Sequence, residues 1–203
     1  MAQHLRQALG RLALMASHPS LSVLFLLLTF NVNAQSIEVN KETYRSIYNL
    51  KLLCPAQVTW VLHRSDLGTV SREPSWPFVS DIPSPLAVGH HADYTHSGYD
   101  RGHLCPAADR SASVQLMRST FSMSNICPQL PSLNRGAWKR TEIQCRQLAT
   151  TYDSVSVVVI PVFLHQDTTY IGIHRLAVPH AFFKAVFSTK DSTVLGSWFL
   201  FNR

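Results

Sequence analysis

Four apolar runs rich in β-branched and aromatic residues close the chain, and the turn signals between them restrict the fold more than any other feature. They are Ser154 to Leu164, Tyr170 to Val178, Ala181 to Phe187 and Val194 to Phe201. Gly172, Pro179, Lys190-Asp191-Ser192 and Gly196 interrupt or separate them, which favours chain reversal at each boundary. An antiparallel meander is expected there. A further strand is expected over 57–64, reading Gln-Val-Thr-Trp-Val-Leu-His-Arg. Helix signals gather in the middle, at Ser111 to Thr120 and at Leu133 to Thr150. The latter holds no proline and offers Ser132 or Asn134 as a cap. The expected class is α+β, a central mostly antiparallel sheet with flanking helices.

Residues 1–34 read differently from the rest. Arg6 and Arg11 precede an uncharged, mainly apolar run from Leu21 to Phe30, followed by Val32-Asn33-Ala34 before Gln35. This is the pattern of a signal peptide, and the run is shorter than the roughly 20 apolar residues that cross a bilayer. A secreted or periplasmic protein with one domain over 35–203 and no stable membrane association is expected. Cys54, Cys105, Cys127 and Cys145 all follow the leader, so up to two disulfides are expected, in any of three pairings. Their spacing lacks the CxxC pairs of a structural zinc site.

Charge is informative by its location. From Arg101 to Arg146 there are seven basic residues against Asp109 and Glu142. A basic segment of this kind suits a polyanion, although a solvated charged face would look the same. Just before it, Pro74, Pro77, Pro83 and Pro85 alternate with Trp76 and Phe78, which predicts an irregular loop pinned by aromatics at the border of a site.

The segment between holds the chemistry. Asp100-Arg101-Gly102-His103 is followed by Asn134-Arg135-Gly136-Ala137-Trp138, then Glu142 and Arg146. Asn134, Trp138, Glu142 and Arg146 recur every four residues and would share one broad helix face. The bland alternative is an exposed Glu142–Arg146 pair worth a few tenths of a kcal/mol. Phosphodiester hydrolysis requires a base, and charge to stabilise the anion that develops at phosphorus; histidine is the usual base near neutral pH. His103 fits that role, Asn134 fits a neutral oxygen ligand for a hard cation, and Glu142 could hold that cation's waters. Arginines such as Arg101 and Arg146 could grip phosphate oxygens. Taken alone, His103 reads better as a core histidine hydrogen-bonded to backbone, and only the ensemble shifts the reading. Gly102 beside it fits a bulge, a tight bend or a plain turn.

Tyr94 through Asp109 (Tyr-Thr-His-Ser-Gly-Tyr-Asp-Arg-Gly-His-Leu-Cys-Pro-Ala-Ala-Asp), then Met123 to Gln129, then Leu133-Asn-Arg-Gly-Ala-Trp138 and Glu142, resemble the DNA/RNA non-specific endonucleases of the ββα-metal class. The likeness covers about residues 72–150 strongly and the strand-rich end more loosely. It implies a ββα-metal motif and a sugar-non-specific nuclease that leaves 5′-phosphate ends. It also implies His103 as general base, Asn134 as the Mg²⁺ ligand with Mn²⁺ compatible, and Glu142 as the carboxylate organising metal-bound water. Arg101 and Arg146 are the matching site arginines, Asn125 a supporting site asparagine, and Arg72 the candidate for the family's upstream arginine. Arg135 and Arg140 are added as substrate-binding candidates on charge. Thr141 and Ile160-Pro161 depart from the family's usual Leu and Gly-Pro. The expected partners are DNA and RNA; the competing reading is a nucleic-acid-binding module without turnover, and a third is a hydrolase of a small phosphodiester.

Overall fold

The computed structural model describes residues 35–83, 89–164 and 168–203. The expected leader, 1–34, lies outside the described residues. A six-stranded sheet forms the frame, built from β1 (Ser36–Asn40), β2 (Arg45–Asn49), β3 (Cys54–His63), β6 (Ser154–Val162), β9 (Ala181–Ser188) and β10 (Val194–Phe201). They lie in that order and every neighbouring pair is antiparallel. The class is α+β, as expected.

Residue alternation explains which face is covered. In β3, Val58, Trp60 and Leu62 point into the core while Val61 and His63 face outward. In β6, Val155, Val157 and Val159 do the same. Each such side chain stabilises by about 1.5–3 kcal/mol on leaving water. They pack under the helix α2 (Lys139–Tyr152), whose buried stripe is Thr141, Cys145 and Ala149, one residue per turn. The helix ends at Asp153, which takes a left-handed φ of 71° that short polar side chains tolerate.

Off the sheet lies a two-stranded hairpin of β4 (Asp100–His103) and β5 (Ile126–Gln129), joined through 3₁₀ turns and the short helix α1 (Val114–Ser119). With the helix that follows, it makes a ββα unit. A second small pair, β7 (Tyr170–Ile171) and β8 (Leu176–Ala177), lies apart from the sheet. The expected four-strand meander is corrected accordingly: β6 pairs β9 directly, and 170–178 splits because Gly172, at a φ of 67°, and Arg175, at 60°, turn the chain back at once.

Three local expectations change. Neither Ser132 nor Asn134 caps the helix; a π-helical turn at Leu133–Trp138 leads into α2 across a kink at Gly136. The first helix begins later than expected, at Val114, where the Ser113 hydroxyl accepts the Leu116 amide. The expected disulfides are absent: the four cysteines are buried thiols, Cys54 and Cys127 facing each other with sulfurs 2.7 Å apart. Among the described residues, no helix is long and apolar enough to cross a membrane.

Gly102 is not a bulge. It sits in regular register opposite Cys127, and the buried Gln129 side chain lies across it, so that a Cβ there would fall 2.3 Å from Gln129 Cδ. Gly102→Ala should therefore destabilise by about 1–3 kcal/mol, as overpacking does. A urea titration checks this, and a stability equal to wild type would show that Gln129 swings away freely.

Candidate active site

His103 ends β4 with its ring inside an aromatic box. Phe121 meets it edge-on at 4.8 Å and Phe78 is tilted against it at 5.6 Å. Phe78 comes from the proline-rich loop, which is pinned as the sequence suggested. Trp76 and Phe78 both pack on Phe121, while Val79 exchanges backbone hydrogen bonds with Phe121 and Met123. Burial, reinforced by the Arg72 charge, lowers the imidazole pKa to about 3, so the ring is neutral at ordinary pH. Its Nε2 is buried without a hydrogen-bond partner.

Asn134 reaches the same place from the π-helical turn. Its Nδ2 donates to Asp100 Oδ2 at 2.9 Å. Because a carboxylate only accepts, this contact fixes the amide's sense and leaves Oδ1 unspent. Arg135 grips the same carboxylate through Nε and Nη2, at 2.9 and 2.8 Å. These contacts hold Asp100 below the usual carboxylate range despite the opposing effect of burial. The backbone carbonyl of His103 accepts Trp138 Nε1–H at 3.1 Å, joining helix and strand directly at the candidate base.

Glu142 stands one turn beyond Trp138 and is partly buried. Burial raises its carboxyl to about 7, with Lys184 the strongest opposing charge, ahead of Arg146. The i,i+4 pair of Glu142 with Arg146 does not form. Arg146 Nη1 instead donates to Asp109 Oδ1 at 2.9 Å, and the other Asp109 oxygen accepts Trp60 Nε1–H at 3.1 Å. Arg101 is held by the His91 carbonyl at 3.1 and 2.6 Å and lies over Tyr94 and Phe78. Arg72 lies over the Phe121 ring at 4.9 Å.

Arg72, Arg101, His103, Asn134, Glu142 and Arg146 thus line one open cleft of about 640 Å³. The remaining candidates fall outside it. Arg135 is spent on Asp100, and Arg140 is exposed on α2. Asn125 is fully buried, accepting from the Cys105 amide and donating to the Cys105 and Thr120 carbonyls, which uses it as a backbone clip behind the base. The sequence reading missed Asp100, Asp109 and Lys184. Lys184 had a signal, a single charge inside the apolar run Ala181–Ser188.

The family of DNA/RNA non-specific endonucleases matches this chain over residues 25–199. The chain belongs to that family. It is 34% identical over 162 residues to a mitochondrial nuclease of Saccharomyces cerevisiae, covering 72% of this chain and 49% of that protein. It is 41% identical over 104 residues to the mitochondrial endonuclease G of Bos taurus, covering 47% of this chain and 35% of that one. A crystal structure of an EndoG/EndoGI complex superposes with a TM-score of 0.73 at 28% identity, covering 82% of this chain and 74% of that one. This chain therefore matches between about a third and a half of the length of these two curated relatives. The expectation of secretion or periplasmic export is corrected, because these relatives are mitochondrial nucleases. Residues 1–34 hold Arg6 and Arg11 and no acidic residue, a composition that organelle-targeting segments also have.

The buried imidazole gives this site a pH signature. Its folded pKa lies below the ordinary 6.5, so the unfolded chain takes up the proton first on acidification. The His103 contribution to stability is complete above pH 6.5 and is lost as pH falls toward about 3. Urea unfolding across that window should show a shallower acid loss in His103→Asn than in wild type; parallel curves would place the titration elsewhere.

Proposed function

We propose that the protein is a metal-dependent endonuclease that hydrolyses DNA and RNA phosphodiester bonds in this cleft, leaving 5′-phosphate ends, from a single nuclease domain over 35–203. The observation that carries the reading is the convergence of a neutral buried imidazole, an amide oxygen with no other partner, a carboxylate and three arginines on one cleft. A binding module without turnover has no use for that set.

The donors fit a hard divalent cation, Mg²⁺ or Mn²⁺. Among the described residues no three His, Cys, Asp or Glu side chains come together as a metal cage. Magnesium, which keeps several waters and takes few protein oxygens, suits a site offering the Asn134 amide and a nearby carboxylate. Asn134 Oδ1 would hold the ion and Glu142 would receive hydrogen bonds from its waters. When bound, the ion supplies positive charge to the phosphate oxygens and to the leaving oxygen.

The rest is the chain's own work. His103 accepts the proton of the attacking water at its ring, and its neutral state makes that possible without prior deprotonation. A phosphodiester anion beside Arg72 offsets that guanidinium's smaller share of the downward shift and leaves the larger share, burial, in place. Arg101, Arg72 and Arg146 stabilise the pentavalent phosphate, and the aromatic box keeps bulk water from the back of the ring. Departure of the 3′ oxygen leaves the phosphate on the 5′ side. Arg146 is aimed by Asp109, so its guanidinium is in place before substrate arrives.

The chain from Gln35 should degrade both plasmid DNA and a structured RNA with Mg²⁺, and EDTA should stop it. His103→Ala should lower kcat by roughly 10²- to 10⁴-fold with substrate binding retained. Binding without cleavage in wild type would give the site to a non-catalytic role. Asp100→Ala releases the Asn134 amide and should weaken the apparent Mg²⁺ affinity by roughly 10- to 100-fold in a metal titration. An unchanged titration would show that Asp100 does not orient the metal ligand.

A further inference from the structure

Lys184 is the anomaly of the sheet. It lies in β9 between Phe182 and Val186, on the face that packs under α2, and its side chain has no contact with solvent. Its Nζ makes no hydrogen bond, yet sits 3.6 Å from the centre of the Trp138 ring. A buried ammonium without hydrogen bonds is costly unless fixed negative charge or an aromatic face answers it. The Trp138 ring answers it in direct contact, whereas Glu142 and Asp109 act on it only as neighbouring charges, neither forming an ion pair with Nζ among the described residues. The same indole donates its N–H to the His103 carbonyl, and Phe182, two residues before Lys184, packs on it at 5.2 Å.

We propose that Lys184 is a positioning residue of the active site: its buried ammonium anchors the Trp138 ring that holds the His103 backbone, and supplies the fixed positive charge beside Glu142 and Asp109. It never touches nucleic acid. The inference rests on the nuclease reading for its kinetic consequence, whereas its electrostatic part stands without it.

The arrangement is one of shared costs. Glu142 and Asp109 both lie on the helix side of the sheet, and Arg146 is drawn to Asp109. Without Lys184, Glu142 would lose the strongest of the charges that favour its ionised form and would face Asp109 as a like charge. The carboxylate would then take up a proton, removing the acceptor expected to organise the cation's waters. The Trp138 ring would lose the cation that fixes its plane, and the hydrogen bond to His103 would be held by packing alone.

The first test is a stability cycle on the metal-free protein at pH 8. Lys184→Met should lower Tm by several degrees more in the wild-type background than in Glu142→Gln, where the partner charge is already gone. Equal drops would overturn the proposal whether or not the protein is a nuclease. Should Lys184→Met not fold in either background, NMR of the folded Glu142→Gln variant replaces the cycle. The Lys184 methylene protons, shifted by the Trp138 ring, should move in that variant and not in Glu73→Gln; no movement would overturn it equally. The second test is kinetic. In folded Lys184→Met, kcat should fall roughly 10- to 100-fold with KM for plasmid DNA unchanged, as for other residues that orient a site from behind. A loss carried by KM would make Lys184 a substrate contact, and an unchanged kcat would make it structural only; both overturn the proposal. If wild type itself fails to cleave while the stability cycle shows coupling, the nuclease reading fails and the charge assignment stands.

Discussion

The contact between α2's leading turn and β4 is the joint on which the structure depends. Two of its hydrogen bonds set the site, Trp138 Nε1–H to the His103 carbonyl and Asn134 Nδ2–H to Asp100, and Arg135 adds two more to Asp100. The first two join the two ends of a four-residue strand to side chains one helical turn apart. Once both form, the candidate base and the candidate metal ligand are set relative to each other by the register of regular structure. The sheet's part is to hold the helix still: Val155, Val157 and Val159 pack beneath it, and Trp138 is buried against Phe182. Hydrophobic burial supplies the stability and two polar contacts supply the aim.

A second constraint is the amount of charge buried near the site. Asp109, Glu142, Arg146, Arg110 and Lys184 all lie in or beside the core, where isolated ions are strongly disfavoured. The structure satisfies them by mutual answers. Arg110 meets Asp66 at 2.6 Å and Arg146 meets Asp109 at 2.9 Å, while Lys184 leans on an indole. Such an arrangement is rigid because moving any member exposes another. Rigidity of this kind suits a site whose chemistry is stabilisation of charge in place.

Much of this was legible in the chain. The strands β6, β9 and β10 were read within a residue or two, because each is long, apolar and bounded by turn residues. The motif residues His103, Asn134, Glu142, Arg101, Arg146 and Arg72 stand out in the chain by type and spacing, and the structure brings them to one cleft. β1 and β4 were not legible. Ser-Ile-Glu-Val-Asn does alternate strictly but over five residues with only two apolar positions, and Asp-Arg-Gly-His carries no apolar alternation at all. β4 is a strand because β5 and the helix above it supply partners distant in sequence. Arg135 was assigned to substrate on charge alone, but the spacing that brings Asn134 to Asp100 also brings Arg135 there. Asp100 and Asp109 went unread because a carboxylate that aims another side chain has no signature of its own.

The four thiols carry a consequence for chemical durability. Cys105, two residues from the base, is fully buried, and burial pushes its thiol far above its ordinary value; Cys127 is raised likewise, and Cys145 to about 12. Peroxide attacks thiolate, and these three groups offer almost none while the chain is folded. Oxidative injury to these three thiols should therefore track the rate at which the protein opens, so that the ageing of this chain becomes a question of unfolding kinetics.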